Sequence, residues 1–135
     1  KPSNEEEYMT LARRKTGALF RAAAELGAVA AGADGFTIEA FGEYAERVGV
    51  AFQIRDDVLD ATADADELGK PTGVDEAVDR PSLLQVTDLT PEEADQRARD
   101  QADAALEALE TAGVGESDAR GYLRDLAEFV VVRER

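Results

Sequence analysis

Cysteine, histidine and tryptophan are all absent from this 135-residue sequence. The lack of cysteine excludes disulfides and thiol catalysis, and the lack of histidine excludes imidazole bases. Together these two absences also remove the usual ligands of zinc sites. Any bound metal must therefore be held by oxygen ligands, which favours Mg²⁺, Ca²⁺ or Mn²⁺.

Positive charge is also scarce, since 15 basic residues stand against 30 acidic ones and the net charge is −15. This balance argues against a duplex nucleic-acid binder and against docking on an anionic membrane. The longest apolar stretch, "GAVAAGA" (27–33), is far too short to span a bilayer, and no signal peptide is visible. We therefore expect a cytoplasmic protein with no membrane span and no nucleic-acid partner.

Strand signals are nearly absent, whereas helical periodicity runs through most of the chain. The pattern predicts an all-α fold in a single domain over residues 1–135. A loop rich in Asp, Gly and Pro is expected at 62–81. The predicted helices are 4–31, 37–61, a short one at 82–89, 90–113 with Thr90 as N-cap and a Glu93 capping box, and 117–132.

The stretch "FQIRDDVLD" (52–60) places three aspartates and a glutamine in an apolar run. At about 100° per residue, four polar side chains fall in one wedge about 100° wide, while most of the remaining circle is apolar. Like charges so close repel one another, and a divalent cation would remove that repulsion. The alternative is a solvated acidic face in an acidic protein. The wedge consists of Gln53, Asp56, Asp57 and Asp60.

Three basic residues could hold an anion near such a cation. Lys15 lies on the apolar side of its helix, next to Thr16, as either a phosphate ligand or a lysine at the core edge. Lys70 lies in the shaped loop "LGKPTGVD" (68–75), as either an anion ligand or an ordinary surface lysine. Arg80, before Pro81, is the third candidate. Carboxylates, Mg²⁺ and basic groups together suit phosphate-ester chemistry.

Three segments resemble the C-terminal half of the trans-isoprenyl diphosphate synthases, or polyprenyl synthetases, which include farnesyl- and geranylgeranyl-diphosphate synthases. They are "KTGALF" (15–20), "GVAFQIRDDVLD" (49–60) and "LGKPTGVDEAVDRPSL" (68–83), in the family's order and spacing. "FQIRDDVLD" resembles the second aspartate-rich motif, a DDxxD sequence after Phe-Gln. The resemblance is densest over residues 8–84.

This resemblance implies a helical bundle of the isoprenoid synthase type, of which the chain would form about half. It implies Mg²⁺-dependent condensation, with Mn²⁺ as a substitute, of an allylic diphosphate with isopentenyl diphosphate. The implied partners are a second copy in a homodimer or the N-terminal half of the synthase. By position, it implies the metal ligands Asp56, Asp57 and Asp60; the allylic diphosphate ligands Lys15 and Lys70; Thr16 and Gln53 at the reacting centre; and Phe52 in the isopentenyl site.

Two departures from the family pattern affect these expectations. Where the family commonly has Lys and Thr after the acidic loop, this chain has Arg80 and Ser82, and Arg80 keeps the charge for diphosphate contact. The first aspartate-rich motif and the N-terminal isopentenyl-diphosphate site have no counterpart in these residues. The chain alone is therefore expected to be inactive. The competing hypothesis is a non-catalytic helical fragment or subunit that binds a partner chain through exposed apolar helix faces.

Overall fold

The computed structural model describes residues 4–66, 88–112 and 118–132, and within them the fold is all-α, as predicted. A π-helical turn at Arg13–Gly17 joins the first two helices without a break in the helical path. No described helix combines the length and the apolarity that a membrane crossing requires. The α helices are α1 Glu5–Ala12, α2 Ala18–Ala30, α3 Gly35–Asp66, α4 Pro91–Thr111 and α5 Asp118–Val132.

The first helical stretch has the predicted ends but not the predicted uniform winding. Asn4 caps α1 by accepting a hydrogen bond of 2.8 Å from the backbone N–H of Glu7. Helix α2 ends at Ala30 and is closed by Gly32, whose φ of 81° is left-handed, while Ala33 N–H donates to the Ala28 carbonyl in a Schellman arrangement. The π-helical turn lies between these ends and contains the "RRKTG" segment. Single π-helical turns inside α-helices are frequent at functional sites.

Helix α3 is the central element, and it contacts every other described helix as well as the π-helical turn. Its start is fixed by Asp34, whose Oδ1 accepts a 2.8 Å hydrogen bond from the backbone N–H of Thr37. The sequence placed this start about two residues later. It also placed residues 62–66 in a loop, which is wrong because α3 continues to Asp66.

Helix α4 begins with the predicted capping box, in which Thr90 and Glu93 each bond the other's backbone N–H. Its inward face is built almost wholly from alanines, and these small side chains allow close packing against α3. The face comprises Ala94, Ala98, Ala102, Ala105, Ala108 and Leu109.

Some sequence predictions lie outside the described residues. Residues 67–87 contain Lys70, Arg80 and most of the predicted short helix at 82–89, and residues 88–90 are not helical. Helix α5 is found where it was expected, and Tyr44 of α3 holds it by donating a 2.7 Å hydrogen bond to the Leu123 carbonyl.

Candidate functional site

The π-helical turn packs on the middle of α3 and brings together two of the segments singled out in the sequence. Thr16 donates a hydrogen bond of 2.8 Å from its hydroxyl to Oε1 of Gln53, 37 residues away. Both side chains are half-buried, so each has atoms within reach of a ligand. The structure thus brings into direct contact two residues that the resemblance separately assigned to the reacting centre.

Close backbone approach makes that pairing possible. A Cβ on Gly49 would lie 3.2 Å from both the Gly17 Cα and the Thr16 carbonyl oxygen. A Cβ on Gly17 would in turn lie 3.1 Å from Cγ of Glu46. The two glycines let the π-helical turn and α3 approach closely enough for Thr16 to reach Gln53 across the interface.

The three aspartates of the acidic wedge have different environments. Asp57 is buried, with 5% of its surface exposed, whereas Asp56 is half-buried and Asp60 is exposed. Asp57 accepts a 3.2 Å hydrogen bond at Oδ1 from Nε2 of Gln53, and its Oδ2 accepts a hydrogen bond from the Tyr8 hydroxyl. Asp56 and Asp60 are thus the two aspartates of the wedge nearer to solvent.

Tyr8 is the site residue that sequence reasoning missed. Its side chain is 3% exposed, and burial, together with the charge of Asp57 and the hydrogen bond to it, raises the pKa of the Tyr8 hydroxyl. The contact spans 49 residues, so no local pattern could reveal it. The available signal was a large aromatic residue on a short helix that otherwise begins with three glutamates.

Two further predicted residues lie on the same elements as Thr16 and Gln53. The Phe52 ring is partly buried and packs against Phe20 of α2, with ring centroids 6.3 Å apart and tilted by 31°. Lys15 is exposed, next to Thr16 on the π-helical turn. Its ammonium group is therefore accessible to an anion from solvent. Lys70 and Arg80 lie outside the described residues.

The carboxylates of the acidic wedge are donors of the kind that hard divalent cations bind. Asp56 and Asp60 are one turn apart on α3 and offer oxygen ligands with access to solvent, which suits Mg²⁺ because it uses few protein carboxylates and keeps waters. Across the described ranges, no group of three or more Asp, Glu, His or Cys side chains gathers closely enough to hold a metal by itself. A metal ion bound at Asp56 and Asp60 would therefore need further ligands from elsewhere.

A separate open groove of about 720 Å³ runs along α1. It is lined by Met9, Thr10 and Arg13 among others, and does not include Thr16, Gln53 or Asp57. The groove and the candidate site residues Thr16, Gln53 and Asp57 therefore lie on different parts of the structure.

Arg55, the basic exception on the apolar side of α3, has a structural role. It is 5% exposed and donates from Nη1 to Oδ1 of Asp95 at 2.6 Å, an ion pair that connects α3 to α4. Its guanidinium therefore helps to hold α4 against the side of α3 that lies opposite the acidic wedge.

Comparison with known proteins yields one family and a consistent set of relatives. The family model described as polyprenyl synthetase matches residues 1–116. A geranylfarnesyl diphosphate synthase from Natronomonas pharaonis is 33% identical over 95% of this chain and 46% of its own length. The farnesyl diphosphate synthase of Escherichia coli is 37% identical over 91% of this chain and 40% of its own length.

A solved structure agrees with these relatives. A geranylgeranyl pyrophosphate synthetase from the archaeon Geoglobus acetivorans superimposes with a TM-score of 0.71 at 29% identity. The superposition covers 98% of this chain and 49% of that chain. This chain therefore spans about half the length of the proteins it matches.

Proposed function

This chain belongs to the polyprenyl synthetase family, and we propose that it forms the C-terminal half of an Mg²⁺-dependent prenyltransferase active site. The reaction is the condensation of an allylic diphosphate with isopentenyl diphosphate. The observation that carries the proposal is the contact between Thr16 and Gln53 beside the aspartates of α3. In that contact, packing joins the two motifs that the resemblance assigns to the reacting centre.

In the proposed reaction the allylic C–O bond breaks and the diphosphate leaves with the electron pair. The double bond of isopentenyl diphosphate then supplies the electrons of the new C–C bond, and a proton is lost to a diphosphate oxygen. Mg²⁺, when bound, supplies positive charge that stabilises the leaving diphosphate.

The residues of this chain have separate proposed roles. Asp56 and Asp60 hold Mg²⁺, and the exposed Lys15 binds the diphosphate as a point charge. Thr16 and Gln53 orient the reacting carbon, and Phe52 forms part of the isopentenyl wall. Lys70 and Arg80 are proposed as further diphosphate ligands on the strength of the resemblance alone.

The electrostatics of the site support a requirement for metal. A diphosphate placed beside Lys15 would approach Asp56 and Asp57 in a chain whose net charge is −15. At an effective dielectric near 20, each close contact between like charges costs on the order of a few kcal/mol. A single lysine does not offset several such contacts, whereas divalent cations held by Asp56 and Asp60 would replace this repulsion by attraction to the diphosphate.

The experiment measures prenyl transfer in the complete synthase, meaning this chain together with the N-terminal half that its relatives have. Labelled isopentenyl diphosphate and an allylic diphosphate should give a longer prenyl diphosphate with Mg²⁺ and none with a chelator. Residues 1–135 alone are expected to give no turnover. Absence of product from a folded complete synthase would overturn the proposal, and turnover by the isolated chain would contradict the division of the site between two halves.

A second candidate is a non-catalytic subunit that binds a partner chain. It is favoured by large apolar side chains that remain exposed, with Leu19 at 70% and Leu26 at 71% on one face of α2. Light scattering and titration with Mg²⁺ plus a non-hydrolysable diphosphate separate the two candidates. Diphosphate binding supports the prenyltransferase, whereas partner-dependent solubility without diphosphate binding supports the subunit.

A further inference from the structure

A continuous chain of hydrogen bonds crosses the candidate site and joins three elements of the fold. The Tyr8 hydroxyl of α1 donates to Oδ2 of Asp57 on α3. Nε2 of Gln53 donates to Oδ1 of the same carboxylate at 3.2 Å, and Oε1 of Gln53 accepts from the Thr16 hydroxyl at 2.8 Å. We name the set Tyr8, Asp57, Gln53 and Thr16 the relay.

The chemistry of these groups fixes the direction of every bond in the relay. An ionised carboxylate can only accept hydrogen bonds, so Gln53 must present its amide nitrogen to Asp57. The amide oxygen then faces Thr16, whose single hydroxyl proton is committed to it. Thr16 therefore presents oxygen lone pairs, and no proton, to a ligand that approaches from the other side.

This polarity matters for the reaction proposed above. The allylic carbon develops positive charge as its C–O bond breaks, and oxygen lone pairs fixed in advance stabilise developing positive charge. With the opposite amide orientation, the Thr16 proton would be free to point at that carbon. The side-chain orientation of Gln53 therefore decides whether Thr16 helps or opposes ionisation.

We propose that Tyr8 is a positioning residue that acts through Asp57 and Gln53 to set the orientation of the Thr16 hydroxyl. This inference rests on the proposed prenyltransferase function and adds Tyr8 to its site. Tyr8 does not touch the reacting carbon. Its role is to hold the buried carboxylate in the rotamer that receives the Gln53 amide.

The position of Tyr8 is restrained mainly by its burial. It is 3% exposed and lies three residues after Glu5, which accepts a 2.7 Å hydrogen bond from Arg97 of α4. Helix α1 is thus joined to α4 by one ion pair and to α3 by the Tyr8 hydroxyl. Both contacts lie on the same turn and face of α1, and the burial of Tyr8 restrains the hydroxyl more than the partly exposed ion pair does.

Tyr8→Phe in the complete synthase is the first test, and Tyr44→Phe is its matched control. Both tyrosines are buried and both donate a hydrogen bond between helices, but Tyr44 donates to the Leu123 carbonyl, away from the relay. Tyr8→Phe is expected to lower kcat by about tenfold to a hundredfold, with the KM of either substrate changed by less than about threefold. Tyr44→Phe should lower the melting temperature without that loss in kcat. Equal kcat values for the two variants would overturn the proposal.

A second measurement asks whether Tyr8 acts through Gln53. If it does, adding Tyr8→Phe to a Gln53→Ala synthase should change kcat by less than about twofold, because the relay is already broken. Effects that multiply instead would show that Tyr8 acts independently of Gln53, and the relay would be rejected.

A third measurement does not depend on turnover. In the 135-residue chain, the side-chain amide protons of Gln53 can be followed by NMR. Tyr8→Phe should shift these resonances and speed their exchange with solvent, whereas Tyr44→Phe should leave them unchanged. Unchanged Gln53 signals in Tyr8→Phe would overturn the relay even in an active synthase. An inactive wild-type synthase in which Tyr8→Phe still shifts the Gln53 signals would refute the proposed function but not the hydrogen-bond chain.

Discussion

Gly17 and Gly49 pack backbone against backbone, with the Gly17 Cα only 3.2 Å from where a Gly49 Cβ would be. The same Cβ would lie 3.1 Å from Cγ of Phe20 and 3.2 Å from the Thr16 carbonyl oxygen. Two of these neighbours are backbone atoms, which cannot move aside as the end of a flexible side chain can. This contact sets the distance between Thr16 and Gln53.

Gly49→Ala is therefore expected to destabilise the fold even though alanine favours helices. Overpacking should cost about 1–3 kcal/mol in the free energy of unfolding, against a helix-propensity gain of about 1 kcal/mol. Gly27→Ala is the control, since nothing lies within 4 Å of its Cβ position in the middle of α2, and it should be neutral or stabilising. Urea unfolding measures both. A Gly49→Ala protein as stable as Gly27→Ala would contradict the close-packing argument.

The two glycines illustrate how far the sequence alone could reach. Helical periodicity predicted the all-α fold, the caps at Asn4 and Thr90 and the single polar wedge on α3, because each depends on residues close in the chain. The π-helical turn was missed because "RRKTG" carries no local signal that distinguishes π from α winding. Its winding is accompanied by packing on α3, which local periodicity does not encode.

The candidate site divides in the same way. Asp56, Asp57 and Asp60 share a wedge by helix geometry alone, but their burial differs, and the buried Asp57 is the one that Tyr8 contacts. Likewise no local pattern accounts for a charged Arg55 on the apolar side of α3, and the structure shows that it pairs with Asp95 of α4. Partners that are 40 to 49 residues away depend on tertiary packing, which the local pattern does not contain.

Asp56 is the carboxylate expected to matter most for metal binding. Asp56→Ala in the complete synthase should lower kcat on the order of 100-fold or more and raise the Mg²⁺ concentration needed for half-maximal rate. Asp103→Ala, an exposed aspartate of α4, serves as the control for loss of one negative charge. Initial rates across a Mg²⁺ titration measure both effects. Near-normal activity of Asp56→Ala would remove Asp56 from the metal site.

Lys15 should act on diphosphate binding rather than on stability. It is exposed, so Lys15→Ala should leave the melting temperature almost unchanged and reduce kcat/KM for the allylic diphosphate by about tenfold or more. Arg14→Ala removes a neighbouring exposed positive charge and should have a much smaller effect. If the two variants behave alike, the contribution of Lys15 is general electrostatic attraction and not a specific contact.

The ion pair between Arg55 and Asp95 should contribute to stability and not to turnover. Asp95→Ala leaves a buried guanidinium without this partner and is expected to cost about 1–3 kcal/mol, because the Asp95 side chain is 33% exposed and water can partly replace it. Asp100→Ala on the same helix, where the aspartate is exposed, should change the unfolding free energy by less than about 0.5 kcal/mol. Equal costs would place Arg55 in a solvated environment, contrary to the structure.

Tyr44 should make the fold sensitive to alkaline pH. Burial raises the pKa of its hydroxyl from 10.0 to about 12, which means that the fold favours the protonated form. The stability gained this way is complete below pH 10 and is lost as the pH rises from 10 through about 12. Unfolding free energies measured in urea at several pH values should therefore fall more steeply over this window in the wild-type chain than in Tyr44→Phe.

At neutral pH the Tyr44→Phe variant should instead be less stable by about 1 kcal/mol, because it lacks the hydrogen bond to the Leu123 carbonyl. Parallel pH profiles for the two proteins would show that the Tyr44 hydroxyl is solvated, and would remove this tie between α3 and α5.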